Sequence, residues 1–201
     1  MDRRLILASK SPRRHELLKQ VGLAFEVVPS GIIEDFVRTE SPQGHAIRLA
    51  EAKAREVASK YRNRWVIAAD TVVCIGGSVL GKPQNDEEAR EMLQRLSGQE
   101  HWVFTGFFVC HLENGKSGTE AVQTAVRMKR LTAAEVEWYI KTGEPFDKAG
   151  GYAIQEIGSF MIESIRGSYT NVVGLPLCEL IQMLSRLGAI TISSGRWQIS
   201  P

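Results

Sequence analysis

Apolar and polar positions fall in short blocks along the chain, and their spacing predicts the elements. Leu5 to Ala8 is an apolar run suited to a buried strand, and it gives way to polar Ser9-Lys10-Ser11 before Pro12. A helix is expected to start there. Ser11 stands where an N-cap hydroxyl belongs, Pro12 suits the first helical position, and Leu17, Leu18 and Val21 share a face until Gly22. Phe25 to Val28 reads as a second strand, and the aperiodic residues 29–41 as an exposed loop. From Pro42, the positions Ala46, Leu49, Ala50, Ala54, Val57, Ala58 and Tyr61 recur at helical spacing and predict about five turns, with Lys53 near the edge of the stripe. Trp65 to Ala69 is an apolar strand ending on Asp70-Thr71, and Val72 to Ile75 resumes the apolar character until Gly76-Gly77 turns the chain.

Further on, Asn85 with Glu88 predicts a capping box and a helix through Ala89, Met92, Leu93 and Leu96, ended by Gly98. His101 to Leu112 and Thr119 to Lys129 are β-rich and joined by Glu113-Asn114-Gly115-Lys116-Ser117-Gly118, a hairpin signal. Thr132 and Glu135 cap another helix that ends near Gly143; 146–158 is Gly-rich and polar, and Phe160 to Ile165 alternates as a strand. A last helix is expected from Pro176 through Leu177, Leu180, Ile181 and Leu184 to Gly188. Residues 189–201 are either a flexible tail or a short added strand. Strands and helices alternating at the front, with a long hairpin in the middle, predict an α/β fold: a mixed twisted sheet with flanking helices. No repeat, low-complexity tract or sharp composition break divides the chain, so a single domain is expected over 1–188, followed by the tail 189–201.

Composition sets limits on this picture. A chain of 201 residues, 43% hydrophobic and 24% charged, can bury a core without a disulfide or structural metal. The three cysteines, Cys74, Cys110 and Cys178, are far apart and form no zinc-like or C-x-x-C spacing, which reads as reduced thiols in a cytosolic protein. With 25 Lys+Arg against 23 Asp+Glu, the net charge of +2 offers no basic stripe for a long nucleic acid. The chain has no apolar run of membrane-spanning length, and its first apolar stretch is too short for a signal peptide, so no membrane partner and a cytoplasmic location are expected. Charge is nevertheless concentrated locally: Arg3, Arg4, Lys10, Arg13 and Arg14 crowd the N-terminus against Asp2 alone.

Three places carry candidate chemistry. At the first strand-to-helix turn, Ser9, Ser11, Arg13 and Arg14 surround a helix N-terminus, whose free N–H groups and positive dipole end favour an anion. Two arginines there oppose the dipole, so either a negative ligand resolves the conflict or the side chains extend into solvent or pair with Glu34 and Asp35. Asp70 with Thr71 sits at the end of an apolar strand, where a carboxylate can hold a hard divalent cation or accept a proton from water, or else pair with a buried lysine. Glu144 to Gln155 mixes charges with Gly150-Gly151, which permit close backbone approach, and Gln155 can both donate to and accept from a base edge or lie in a plain surface loop. Gly76 to Lys82 has P-loop spacing, but Pro83 replaces the magnesium-binding hydroxyl and holds Lys82 extended, leaving it a point charge for phosphate. His15, His45, His101 and His111 show no metal-ligand spacing.

Eight ordered blocks between about Leu5 and Leu187 resemble the Maf family of nucleoside triphosphate pyrophosphatases. They are 7–14 (Leu-Ala-Ser-Lys-Ser-Pro-Arg-Arg) with Glu16-Leu17-Leu18; Arg48-Leu49-Ala50 with Lys53-Ala54; Ala69-Asp70-Thr71-Val72-Val73; Gly81-Lys82-Pro83; Leu96-Ser97-Gly98; 143–150 (Gly-Glu-Pro-Phe-Asp-Lys-Ala-Gly); Tyr152-Ala153-Ile154-Gln155; and 171–176 (Asn-Val-Val-Gly-Leu-Pro). The resemblance implies an ITPase-like fold with two lobes around a nucleotide cleft, and hydrolysis of a nucleoside triphosphate to monophosphate and pyrophosphate. It assigns Asp70 as proton acceptor and Arg13, Thr71 and Gln155 to substrate choice. The Ser-Pro-Arg-Arg, Asp-Thr and Ile-Gln combination points to the dTTP/UTP branch, with modified pyrimidine nucleotides as further substrates, rather than the 7-methyl-GTP branch. A homodimer is compatible with the family.

A triphosphate carries about four negative charges and needs several cations to bind it. Arg13, Arg14, Lys53 and Lys82 are the cationic candidates, with Ser9 as a further phosphate-binding residue, together with a divalent metal, magnesium or manganese, held by Asp70 and Glu34. The family usually has an acidic pair in the loop after the second strand. Here Ile33 precedes Glu34, which leaves Glu34 as the single matching acid. The rival from another class is a nucleotide-binding regulator of septum formation and cell division that uses the same residues without turnover.

Overall fold

The computed structural model describes residues 5–33 and 40–200. Within them the chain forms nine strands and six helices in an α/β arrangement. These are β1 (Leu5–Leu7), α1 (Pro12–Gln20), β2 (Phe25–Val27), α2 (Pro42–Lys60), β3 (Val66–Ile75), β4 (Ser78–Leu80), α3 (Asp86–Leu96), β5 (Glu100–His111), β6 (Lys116–Met128), α4 (Ala133–Lys141), β7 (Ile162–Arg166), α5 (Tyr169–Val173), α6 (Leu177–Leu187), β8 (Ile190–Ser193) and β9 (Arg196–Ile199). The main strands are hydrogen-bonded in the order β2-β1-β3-β5-β6-β7, with β4 paired to β3 off that path. Pairing is parallel for β1 with β2 and β3, and antiparallel for β3 with β4 and β6 with β7, so the sheet is mixed.

The chain divides into two compact units. The first comprises Met1–Asp70, Thr105–Val122 and Gly174–Pro201. Its parallel registers, Leu5↔Phe25 to Leu7↔Val27 and Ile6↔Val66, put β1 between β2 and β3. Helix α2 covers this part of the sheet with a small-residue face: Ala50, Ala54, Val57 and Ala58 pack against Ile6, Ala8, Val66, Ala68, Phe108 and Cys110. Small side chains let the helix backbone approach closely. At Gly106 on β5 an added Cβ would lie 2.5 Å from backbone atoms of Ala46 and Ile47. Helix α1 begins as the sequence predicts, with the Ser11 hydroxyl accepting from Arg14 N–H at 3.4 Å, and it ends where Gly22 takes φ +74°. Residues 189–201 contain an antiparallel hairpin, β8–β9, whose Trp197 indole donates to the Val21 carbonyl at 2.7 Å and so closes the end of α1.

The second unit comprises Thr71–Phe104 and Gln123–Val173. Its core joins Val73, Leu80, Leu93, Leu96, Val103, Val126, Met128, Val136, Tyr139, Ile140, Tyr152 and Met161. Helix α4 carries the full capping box between Thr132 and Glu135. Helix α3 keeps half of the one expected: Asn85 accepts from Glu88 N–H at 2.9 Å, but the Glu88 carboxylate reaches Gln84 N–H instead of the cap's own.

At β3 one sequence expectation holds and another changes. Gly76 and Gly77, at φ +56° and +77°, form the two-residue turn of the β3–β4 hairpin, and Lys82 follows β4 in an exposed segment, so the P-loop spacing builds no P-loop. Asp70 does not end a strand. β3 runs unbroken through it, because the charge that would interrupt a buried strand has a partner.

Candidate active site

In the first unit, the turn between β1 and α1 is built around Ser9, 7% exposed. Its hydroxyl accepts from Ser11 N–H at 3.2 Å and from the Arg14 guanidinium at 3.3 Å. The same guanidinium donates through Nε to the Gly174 carbonyl at 2.7 Å, which ties α1 to the segment leading into α6. Arg14 therefore orders the turn. Arg13, one residue earlier in the same helical turn, is half-buried, and no acidic side chain stands in that first turn. The helix dipole and the arginines leave it a cationic corner.

The central feature of this unit is an ion pair. Lys53 Nζ donates to Asp70 Oδ1 at 2.7 Å, and both residues are over nine-tenths buried. Lys53 lies between Ala50 and Ala54, inside the packed face of α2 and not at its edge. Side chains alternate across a strand, so Asp70 shares the face of Val66 and Ala68, which α2 covers, whereas Thr71 looks to the opposite side. Taking two charges out of water costs several kcal/mol per ion, roughly, before their attraction offsets it, so such a pair contributes little as mere stabilisation. A carboxylate held at one oxygen by an ammonium is an arrangement with a chemical use.

The second unit holds Thr71, Lys82 and Gln155. Thr71 and Gln155 are half-buried and Lys82 is exposed. The adjacent glycines of the 144–158 segment serve protein packing. Gly150, at φ +72°, donates its N–H to the Gly81 carbonyl at 2.9 Å, and a Cβ on it would press on Val73 at 3.0 Å. The Lys82 loop is thereby fastened to the segment that carries Gln155. Lys148, in the same segment, is buried and directs its ammonium to the Glu144 carbonyl at 2.9 Å and to Asp147 at 2.6 Å. Glu144 braces the turn beyond Gln155, a role that spacing alone does not reveal.

The structure thus brings Ser9 to Arg14 and Lys53 to Asp70 in the first unit, and it links the Lys82 loop to the Gly150 turn in the second. Glu34 lies outside the described residues. Among the described residues, no three His, Cys, Asp or Glu side chains gather into a metal-binding group, and no helix is long and apolar enough to cross a membrane. The pairing of Asp70 with a buried lysine is one of the alternatives the sequence offers; which lysine it is, the structure supplies, and Lys53, flanked by Ala50 and Ala54 at helical spacing, carries the signal of burial.

A family model described as Maf-like protein matches residues 4–187. The chain is 52% identical over 193 residues to the dTTP/UTP pyrophosphatase of Syntrophotalea carbinolica, covering 95% of this chain and 88% of that protein. It is 49% identical over 196 residues to the protein of the same name from Syntrophus aciditrophicus, covering 98% and 96%. A third, from Geotalea uraniireducens, is 50% identical over 186 residues, covering 92% and 96%. Among solved structures, that of the Staphylococcus aureus Ham1 protein aligns over 79% of each chain with a TM-score of 0.44 and 17% identity.

Proposed function

The chain belongs to the Maf-like family, and from that premise we propose that it is a dTTP/UTP pyrophosphatase, hydrolysing each nucleotide to its monophosphate and pyrophosphate. The observation that carries the chemistry is the buried Lys53–Asp70 pair. Lys53 fixes Oδ1, and Oδ2 accepts a proton from water. The water oxygen bonds to the α-phosphorus, the bond from that phosphorus to the bridging oxygen of the β-phosphate breaks, and pyrophosphate leaves. Ser9, Arg13 and Arg14 at the helix N-terminus, with Lys53 and Lys82, are assigned to phosphate charge. Arg13, Thr71 and Gln155 are assigned to substrate choice, Gln155 through the paired donor and acceptor of its amide.

A divalent cation, magnesium or manganese, belongs to this reading. Asp70 supplies the hard carboxylate oxygen such an ion takes, and it would hold the ion with Glu34 and the substrate's own phosphates. When bound, the metal neutralises phosphate charge and stabilises the pyrophosphate as it departs. Residues 1–188 act as one catalytic domain, in the cytoplasm, as a homodimer, with a free nucleotide and not a polymer or membrane as partner.

Asp70→Asn is the sharpest test of the chemistry. It keeps shape and hydrogen bonding to Lys53 but cannot accept the proton, so turnover should fall by at least about a hundredfold while nucleotide binding persists. Parental turnover in the Asp70→Asn variant would remove Asp70 from the mechanism.

A further inference from the structure

The Gly-rich segment of the second unit contains a strained turn braced by a carboxylate, with the Ser159 hydroxyl donating to the Glu156 carbonyl at 2.7 Å as a further tie. Glu156 has φ +59° and ψ −143°, a conformation open to glycine and costly for a side-chain-bearing residue. It follows Gln155 directly. Nothing in its own composition favours that backbone, so the surroundings must impose it.

Glu144 does so. Its Oε2 accepts from Ile157 N–H at 3.1 Å, and its Oε1 from Gly158 N–H at 3.0 Å and from the Tyr139 hydroxyl at 2.9 Å. The three donors come from the two residues that follow Glu156 and from the buried face of α4. Glu144 is itself held at its backbone, with its N–H on the Thr142 hydroxyl at 3.1 Å and its carbonyl on the Lys148 ammonium at 2.9 Å. Burial, and then the Glu144 carboxylate, push the Tyr139 phenol up from its ordinary value, which keeps its donor proton in place. The turn is also closed on itself. A Cβ on Gly158 would lie 2.6 Å from the Ala153 carbonyl oxygen and 2.8 Å from the Tyr139 hydroxyl, so residues 153 and 158 touch backbone to backbone with Gln155 between them.

We propose that Glu144 is a positioning residue for substrate choice: its carboxylate holds residues 156–158 in the strained turn and thereby fixes where Gln155 presents its amide. The inference rests on the reading of Gln155 as a residue that selects the base. A purely structural carboxylate would secure the loop for stability alone and leave selection untouched.

The test uses the full chain and pairs hydrogen exchange at the Ile157 and Gly158 amides with the ratio of kcat/KM for UTP over CTP, two nucleotides that differ at the base edge. Glu144→Gln puts an amide where both oxygens must accept. Exchange at the two amides should rise about tenfold or more, with Val126 in the unit's core unchanged, and the UTP/CTP ratio should fall severalfold, chiefly through KM for UTP. Adding Glu156→Gly supplies a residue that adopts positive φ freely, so Glu144→Gln/Glu156→Gly should regain much of the lost protection and selectivity. If Glu144→Gln folds poorly, Tyr139→Phe removes one donor and keeps the ring, and should raise exchange about threefold. Unchanged exchange overturns the brace. Raised exchange with an unchanged ratio, while Gln155→Ala lowers the ratio, overturns the positioning role. A ratio unmoved by Gln155→Ala shows instead that Gln155 does not select, and the inference falls with that reading.

Discussion

Lys53 and Asp70 lie 17 positions apart in the chain and depend on each other through one bond of 2.7 Å. Truncating one partner leaves the other charge buried and unpaired, which costs about 3–5 kcal/mol in comparable pairs. Lys53→Met should therefore lower unfolding free energy by about that amount in urea denaturation, and Lys53→Met/Asp70→Asn should recover most of the loss. A double variant no more stable than Lys53→Met would mean the ion pair is not coupled as its geometry requires. A second residue-scale effect belongs to His101. It is fully buried, its Nε2 lies 2.6 Å from the Tyr152 hydroxyl, and burial pushes its imidazole down from 6.5 to about 4. Between those values the unfolded chain holds a proton that the folded one does not, so stability is complete above pH about 6.5 and is lost as pH falls toward 4, by about 3 kcal/mol in all. Denaturation midpoints measured across that range should show the slope, and His101→Gln should flatten it.

Among the elements, the sharpest constraint is the seat of α2 on β5. Gly106 faces backbone atoms of Ala46 and Ile47, which cannot swing aside as a side chain can. Gly106→Ala should cost at least about 1–3 kcal/mol, and by displacing α2 it should also loosen the Lys53–Asp70 bond and reduce turnover. A variant with parental melting temperature and activity would show that the helix has room to retreat. The long periodic elements, α2, α3, α4 and α6 with β5 and β6, are legible in sequence because burial repeats at the period of the backbone. Two short ones are not: β4 has three residues and α5 five, too few to display a period, whereas the equally short β1 is marked by its unbroken apolar run. The break expected at Asp70 fails for a different reason. A charge in an apolar strand argues against continuation until its counter-charge is known, and Lys53 belongs to another element. The hairpin in the last residues did have a signal, since Ile190 to Ser193 alternates before Ser194-Gly195, but its exposed, polar character masks it.

In the molecule as a whole, each unit has its own core and its own share of the candidate residues. Ser9, Arg13, Arg14, Lys53 and Asp70 belong to the first, and Thr71, Lys82 and Gln155 to the second. The net charge of +2 says little about this, being an average over local concentrations such as the arginines at the start of α1. Motif blocks made the family and the residue types readable. The bonds that give those residues their geometry, Lys53 to Asp70, Arg14 to Gly174 and Glu144 to Ile157 and Gly158, are long-range or depend on turn conformation, and no local pattern encodes them. In the proposed reaction, water attacks the α-phosphorus of a pyrimidine triphosphate. Incubating the protein and magnesium in heavy-oxygen water with dTTP, UTP and 7-methyl-GTP in turn, and weighing the products, tests it directly. Pyrophosphate should be released from dTTP and UTP, with label in the monophosphate and none in the pyrophosphate. Label in pyrophosphate, preference for 7-methyl-GTP, or binding without release would contradict it.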